Sequence, residues 1–336
     1  MYKCCGGLGL CPGCKRETIC SVECVCGELN FKTDECASTM TFNVALANSD
    51  KAELIDGQYR LKWRVNEQYE DEYVFQRVSG RGNYGEVLKT DKGGVAYAVK
   101  LMRYSPGYLT ANQTDIDKEV LISATLSNRR TQCHRYIACY VEHFIVPVPH
   151  RDPFKAIVYE WIEGITLLKY MLSDVFMKPK LPKYFRQAAR ALRFMHSKDV
   201  IWNDIHPENI MIRANRKKIA LLDFGSACFT PCTELEPVKA AYASPERINQ
   251  QLPSKAGDVF SLGVTFGSAL LGAEPKWVKQ VGGKTAFNEA RFDYDFVAQL
   301  QLMEKQHPWT AVVVDMTMVE KDERIRVSEA IKRLGK

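Results

Sequence analysis

The chain has 336 residues, of which 46% are hydrophobic and 26% charged, and its net charge is +6. This length allows one large domain or two ordinary ones, and the composition is that of a globular protein. No stretch reaches the roughly eighteen consecutive apolar residues of a membrane helix, and the first residues lack the apolar core of a secretory signal, so we expect a cytoplasmic protein. Because Lys and Arg are scattered among acidic residues, a nucleic-acid surface is not indicated.

Cysteine is concentrated at the start of the chain, where eight of the twelve cysteines lie in the first 36 residues. This part has few large apolar side chains, so it needs a cross-link to fold. A structural zinc site is the preferred interpretation, and disulfides, redox-active thiols or a lipid-modified Cys-Cys pair are the alternatives. We predict that residues 1–40 form a zinc-binding module that recruits a partner. The predicted ligands are Cys11, Cys14, Cys24 and Cys26; Cys20 is a possible substitute, and a second site at Cys4, Cys5 and Cys36 is left open.

Residues 41–70 read as a linker or lead-in segment, in which "QYRLKWRV" is a possible edge strand. From residue 71 the chain alternates strands with glycine-containing turns: "VFQRVSG", "EVLKT" and "VAYAVKLM". A helix follows in "NQTDIDKEVLISATLS". Later segments, "LPKYFRQAARALRFMHS" and "SKAGDVFSLGVTFGSALLG", have apolar residues at helical spacing. A strand-rich half followed by a helix-rich half predicts a bilobal α+β domain over residues 71–336.

The glycines of "GRGNYGEV" have the spacing G-x-G-x-x-G and are followed by Val87. Glycines at Gly80, Gly82 and Gly85 would let backbone amides approach phosphate oxygens, although an ordinary hairpin turn has the same composition. A dinucleotide-binding fold would need a helix after the glycines. The strand-like "EVLKT" follows instead, which disfavours that fold.

Five further residues carry the predicted chemistry. Lys100 ends a strand, where its ammonium can neutralise phosphate charge, and Glu119 on the next helix can pair with it. Asp204 is a candidate base for a hydroxyl nucleophile, and Asn209 and Asp223 offer oxygen ligands to Mg²⁺. Each residue also has a purely structural interpretation, as a solvated charge or a turn residue. Their order along the chain favours a joint role.

In this order the motifs resemble the eukaryotic-type protein kinase domain, from about residue 71 to 336. The resemblance implies ATP and Mg²⁺ (or Mn²⁺) as cofactors, a protein substrate phosphorylated on serine or threonine, and autophosphorylation. It also implies that Asp258 braces the catalytic loop and that Arg326 pairs with Glu246 of "SPE". Adenine is expected against the connection at residues 159–164. The implied nucleotide-binding residues are Gly80, Gly82, Gly85, Val87, Lys100, Glu160 and Ile162, and the implied catalytic residues are Asp204, Lys100, Glu119 and His206.

The catalytic-loop sequence departs from the family pattern at three positions. Trp202 replaces a histidine and is expected to pack in the core, whereas Asn203 replaces an arginine that binds activation-segment phosphate. His206 replaces a lysine that contacts the transferred phosphate, so the rate is expected to fall or to become dependent on pH.

The activation segment departs as well. Either Lys239 or Ala240 stands where relatives have a threonine that contacts the catalytic aspartate, and Tyr242 is expected to pack. Because Lys100, Asp204, Asn209 and Asp223 are all present, an active kinase is preferred. The alternatives are a small-molecule kinase and a nucleotide-binding scaffold without transfer.

Overall fold

The computed structural model describes residues 52–55, 58–66, 69–82, 85–104, 111–128, 132–146, 153–281 and 284–335. The predicted zinc module, with Cys11, Cys14, Cys24 and Cys26, lies outside the described residues. The chain divides into two compact units. Unit 1 extends to Val120 and resumes at Tyr140–Trp161, and unit 2 comprises Leu121–Cys139 and Ile162–Lys336.

Unit 1 is built on an antiparallel sheet of seven strands in the order β1-β2-β3-β4-β5-β9-β8. Alternate residues of β4 are buried, as period-two patterning requires when one face of a sheet covers a core. Leu88, Val99 and Val158 form part of this core. The strands are β1 (Ala52–Ile55), β2 (Gln58–Asn66), β3 (Tyr69–Gly82), β4 (Gly85–Lys92), β5 (Val95–Arg103), β8 (Tyr140–Val146) and β9 (Phe154–Glu160).

The predicted strand "QYRLKWRV" is present as β2, but it does not lie at the edge of the sheet. β1 pairs with its outer side, with Ala52 facing Leu61, and β3 pairs with its inner side. The edge prediction was therefore wrong, because a strand's place in a sheet depends on a partner outside its own sequence. The boundaries of the proposed linker stay a prediction.

Unit 2 is mainly helical and is centred on two long helices, of which the first is amphipathic and the second almost wholly buried. The second begins where the hydroxyl of Ser254 accepts the N–H of Gly257 and ends at Gly272 in the left-handed region. The helices are α1 (Ala111–Leu126, which crosses from unit 1), α2 (Leu167–Met171), α3 (Leu181–Ser197), α4 (Pro245–Ile248), α5 (Lys255–Leu271), α6 (Glu289–Phe292), α7 (Ala298–Leu302), α8 (Thr310–Met316) and α9 (Val327–Arg333), with a π-helical segment at Asp293–Val297.

Short strands connect these helices and position the loops of unit 2. A three-stranded sheet has the order β10-β12-β13, and three two-stranded sheets pair β11 with β14, β15 with β16, and β6 with β7. Two disulfides are present in the described residues, Cys133–Cys139 and Cys228–Cys232. The strands are β6 (Ser127–Asn128), β7 (Gln132–Cys133), β10 (Gly164–Thr166), β11 (Val200–Ile201), β12 (Ile210–Arg213), β13 (Ile219–Leu221), β14 (Cys228–Phe229), β15 (Val278–Val281) and β16 (Lys284–Phe287).

Among the residues that the structure describes, no helix has the length and apolar character needed to span a membrane.

Candidate active site

The three glycines of the glycine-rich segment lie where the paired strands β3 and β4 of unit 1 end and begin. Gly80 faces Val87 across the two strands, and Gly82 faces Gly85. At Gly85 a Cβ atom would lie 2.0 Å from the carbonyl oxygen of Leu101 on β5. Only glycine therefore permits β4 to approach β5 this closely.

Lys100 and Glu119 form a buried ion pair within unit 1. The Lys100 ammonium lies 2.8 Å from one carboxylate oxygen of Glu119 and 2.9 Å from the other. The Tyr159 hydroxyl donates a third hydrogen bond to that carboxylate, at 3.2 Å. Since both carboxylate oxygens are bound, the ammonium is held in one place. The predicted pairing is confirmed, and its role in nucleotide binding stays a prediction.

The catalytic loop of unit 2 begins after β11 and is held by Asp258 on α5. Its carboxylate accepts the backbone N–H groups of Trp202, at 2.9 Å, and Asn203, at 2.7 Å. It also accepts a hydrogen bond from Nε2 of His196 on α3, at 2.8 Å. Asn203 has φ +69°, in the left-handed region that asparagine tolerates better than most residues. The predicted bracing of this loop by Asp258 is therefore confirmed.

Asp204 follows in this loop, and its side chain is 23% exposed. One carboxylate oxygen accepts the backbone N–H of Lys239 at 2.9 Å. The other lies 3.4 Å from Nδ2 of Asn209 and 3.4 Å from Nε2 of His206. The Asn209 amide also donates to the Asp204 carbonyl, at 3.0 Å. These contacts fix the carboxylate of the candidate base.

Strand pairing brings Asn209 and Asp223 next to each other. Ile210 at the start of β12 pairs with Leu221 at the end of β13, and the N–H of Leu222 donates to the carbonyl of Asn209 at 2.9 Å. Asp223 has φ +56°, and its carbonyl accepts the indole N–H of Trp202 at 2.9 Å. The two predicted metal ligands thus leave adjacent strands at the same edge.

The two residues offer a carboxylate and an amide oxygen, which are ligand types that Mg²⁺ prefers. The described residues contain no group of three or more His, Cys, Asp or Glu side chains arranged for a metal. Because Mg²⁺ in phosphotransferases keeps water and substrate phosphates as its remaining ligands, a set of two protein residues fits this ion. Asn209 and Asp223 would hold it.

The three departures in the catalytic loop each have a structural explanation. Trp202 is buried, as expected, and its indole N–H holds the backbone of Asp223. Asn203 bridges the carbonyl of Ser226, at 3.0 Å, and Nε of Arg247, at 3.2 Å. His206 is also buried, and it touches Asp204.

Arg247 was not singled out from the sequence, although it is the buried cation beside Asn203. Besides Asn203, its guanidinium binds the carbonyl of Glu236 in the activation segment. Burial lowers the pKa of Arg247, and the nearby charge of Glu236 opposes that shift. A buried arginine of α4 thus links the catalytic loop at Asn203 to the activation segment at Glu236.

The activation segment, residues 223–246, contacts Asp204 through the backbone N–H of Lys239. Which of Lys239 and Ala240 corresponds to the threonine of relatives stays a prediction. Tyr242 is buried, as expected, and burial, together with the charges of Glu274 and Glu208, raises its pKa to about 12. Thr230 and Thr233 are exposed. Both hydroxyls are therefore accessible to solvent.

The arginine paired with Glu246 is Arg324, and the expectation of Arg326 was wrong. Nη1 and Nη2 of Arg324 donate to the two oxygens of Glu246 at 2.6 and 2.7 Å, whereas Arg326 is exposed. Both arginines have extended backbones, with ψ of 135° and 150°. Their φ values of −68° and −72° are those of polyproline II, a helix of three residues per turn in which side chains two residues apart point in different directions, so only one can face Glu246. The sequence "ERIRV" offers no signal that distinguishes them.

A β-sheet unit with a paired lysine and glutamate, followed by a helical unit with Asp204, Asn209 and Asp223, is the arrangement found in protein kinases. Residues 73–334 match the protein kinase domain, and the chain belongs to that family. Its β-sheet unit and helical unit agree with the bilobal α+β kinase fold.

Several curated proteins are similar to the chain. It is 31% identical to the Kinase and exchange factor for Rac A of Dictyostelium discoideum, over 47% of the chain and 11% of that protein. It is 27% identical to the rat serine/threonine-protein kinase Sgk2, over 61% of the chain and 54% of that protein. It is 27% identical to Aurora/IPL1-related protein kinase 2 of Caenorhabditis elegans, over 67% of the chain and 72% of that protein. The chain thus spans about half or less of the length of the first two.

Proposed function

We propose that the protein is a serine/threonine kinase that transfers the γ-phosphate of Mg-ATP to protein hydroxyls, its own included. The observation that carries the proposal is the fixed carboxylate of Asp204, which is bound by the Lys239 N–H and lies beside Asn209 and His206. A partly exposed carboxylate held in one orientation suits a base for a hydroxyl proton. The neighbouring Asn209 and Asp223 suit a phosphate-bound metal.

Each residue has a defined part in the proposed transfer. Lys100, fixed by Glu119, orients ATP phosphates, and the Gly80–Gly85 segment offers backbone amides to them. Asp204 accepts the proton of the attacking hydroxyl as the oxygen–phosphorus bond forms and the bond to the leaving ADP oxygen breaks. Magnesium, when bound, neutralises phosphate charge. Glu160 and Ile162, at the end of β9 and just after it, are the proposed neighbours of adenine.

A protein substrate is favoured over a small molecule because the "SPE" segment is fixed in the fold. Glu246 is held by Arg324 through two hydrogen bonds, and Ser244 lies directly before the short helix α4 with an extended backbone. The related proteins whose names include serine/threonine-protein kinase point to the same substrate class. Retention of Lys100, Asp204, Asn209 and Asp223 speaks against a scaffold without transfer.

We also propose that the cysteine-rich residues 1–40 bind zinc and recruit a partner, and that the protein works in the cytoplasm. The zinc proposal rests on the cysteine spacing alone. The location rests on the sequence expectation alone, and the disulfides Cys133–Cys139 and Cys228–Cys232 speak against it, because disulfides are rare in a reducing cytoplasm.

The test is γ-phosphate transfer to the protein itself and to generic basic proteins, with phosphoamino-acid analysis. Asp204→Asn is expected to lower kcat by about 10² to 10⁴ while ATP still binds. Asp199→Asn is the matched control, because Asp199 is exposed and its charge pairs only with the exposed Lys255 in the described residues. Folded wild-type protein that binds Mg-ATP without transfer would support the scaffold, and transfer to small hydroxyl compounds alone would support a small-molecule kinase.

A further inference from the structure

The contacts of Asp204 include two residues with side chains that can be cationic, His206 and Lys239. In the transition state of phosphoryl transfer, negative charge is spread over the three equatorial oxygens of the transferred group, and a cation aimed at that group is one of the largest stabilising effects available. The surroundings of the two side chains decide which of them can meet this charge.

His206 is occupied at both ring nitrogens. Nδ1 accepts the backbone N–H of Glu208 at 3.3 Å, so in the neutral ring the proton is on Nε2. Nε2 lies 3.4 Å from the Asp204 carboxylate. A protonated ring would keep Nε2 beside Asp204 and would also face the carboxylate of Glu208, 3.4 Å from Nδ1. In either state the imidazole is directed at carboxylates of its own loop, so it orients Asp204.

Lys239 combines a fixed backbone with an adaptable ammonium. Its N–H donates to Asp204 at 2.9 Å, and it opens the 3₁₀ turn Ala240–Tyr242. Its ammonium pairs with Glu208, and the two side chains are 39% and 46% exposed. An ion pair this exposed contributes little stability, so a more highly charged anion can replace Glu208. A lysine ammonium on a flexible stem is a common phosphate ligand.

We propose that Lys239 is a catalytic residue whose ammonium leaves Glu208 and binds the phosphoryl group during transfer, while His206 positions Asp204. The inference rests on the proposed kinase function and names a further residue for it. The hydroxyl proton still passes to Asp204 and the ADP oxygen still leaves. Lys239 keeps its proton throughout and stabilises charge only.

The test compares steady-state transfer by wild type, Lys239→Ala, Lys239→Arg and the double variant Lys239→Ala/His206→Lys. Loss of the ammonium is expected to lower kcat about 10²-fold at saturating Mg-ATP. The KM values for ATP and for the protein acceptor are expected to stay within about twofold of wild type, because the contact forms in the transition state. Arginine at position 239 is expected to restore most of kcat, and so is the double variant, which places an ammonium at position 206, the other residue that contacts both Asp204 and Glu208.

Lys255→Ala is the matched control, because it removes another exposed lysine–carboxylate pair from unit 2 and is expected to leave kcat unchanged. Thermal unfolding of each variant shows whether it folds. A Lys239→Ala protein with wild-type kcat overturns the inference, as does a loss that neither cationic variant reverses. A change confined to the KM of the protein acceptor also overturns it, since Lys239 would then bind the acceptor.

Failure of the proposed function is visible separately in the same assay. If folded wild type transfers no phosphate, the function and the inference fall together. If wild type transfers phosphate, Asp204→Asn does not, and Lys239→Ala does so normally, only the inference falls.

Discussion

At Arg324 a guanidinium is buried, with 1% of its side chain exposed, against the carboxylate of Glu246. It also donates to the carbonyls of Met318 and Val319, at 2.7 and 2.8 Å, and it lies 4.9 Å from the ring centre of Phe260. Removing one partner of such a pair leaves an unsatisfied buried charge, which costs more than the pair itself contributes.

We therefore expect Arg324→Ala to lower the free energy of unfolding by about 3 to 5 kcal/mol. Arg326→Ala is the matched control, because that side chain is exposed, and its effect should stay within about 0.5 kcal/mol. Urea unfolding of the three proteins measures both values. Equal losses for the two variants would contradict the assignment of Arg324 as the partner of Glu246.

The same pair predicts a dependence on pH. Burial raises the pKa of Glu246, but hydrogen bonds and charge from Arg324 outweigh burial, so the pKa lies below its ordinary value of 4.5. Its contribution to stability is thus present above that ordinary value and is lost as the pH falls through the lower, folded-state pKa. In Arg324→Ala the opposing effect of Arg324 is gone, and Glu246 protonates more readily. The stability gap between wild type and variant should narrow from pH 7 to pH 4, and a constant gap would count against this account.

The sequence located most of the site residues, but it did not locate their supporting contacts. Asp204, Asn209 and Asp223 follow strand and loop patterns that are visible in the chain. Arg247 contacts the catalytic loop from 44 residues away, and His196 acts on that loop through Asp258, which is 62 residues from it. Such contacts depend on tertiary packing, for which a single sequence carries no local signal.

At the scale of elements, the β4–β5 pairing depends on Gly85. A side chain there would collide with backbone, which cannot move aside as a flexible side chain can, so the strands would have to separate. Val87 and Lys100 face each other two residues further along the same pairing. Separation of the two strands at Gly85 would therefore displace Val87 and Lys100, which are predicted to bind the nucleotide.

We expect Gly85→Ala to weaken Mg-ATP binding at least about tenfold, or about 1.4 kcal/mol. Gly93→Ala is the comparison, because Gly93 has φ +62° but a Cβ added there would meet no atom within 4 Å. It should cost about 1 to 2 kcal/mol of stability through backbone strain alone and leave ATP affinity unchanged. Isothermal titration with Mg-ATP compares them, and equal affinities would show that the close approach at Gly85 is unimportant for binding.

Elements with strong local signals were predictable. The helix expected in "LPKYFRQAARALRFMHS" is α3, Leu181–Ser197, and Ser254 and Gly272 cap α5 as their residue types predict. The position of β2 inside the sheet was not predictable, because it depends on β1. The hairpin of β15 and β16 lies in the helix-rich half, and no strand was expected there.

At the scale of the whole molecule, the proposed zinc module lies outside the residues that the structure describes, so the proposal rests on the sequence. We expect full-chain protein to contain about one zinc ion per chain, because four cysteine thiolates make a complete tetrahedral site. Cys11→Ser/Cys14→Ser should lose the metal. Cys133→Ser/Cys139→Ser is the control and should keep it, because that pair forms a disulfide. Metal analysis after gel filtration measures the content, and metal-free wild type or metal retained in the first variant would refute the zinc assignment.

The carboxylate of Asp258 accepts two backbone N–H groups and one imidazole N–H. Every residue except proline supplies a backbone N–H, so substitutions at positions 202 and 203 leave these two donors in place. Any replacement of Asp258 that cannot accept hydrogen bonds would leave both backbone N–H groups without an acceptor. No ordinary second substitution could remove these N–H groups, so the need for an acceptor would remain. Positions 202 and 203 can thus differ from the family pattern without removing the two donors, provided that the new side chains make contacts of their own, as Trp202 does with Asp223 and Asn203 with Ser226. Position 258, by contrast, must always supply an acceptor.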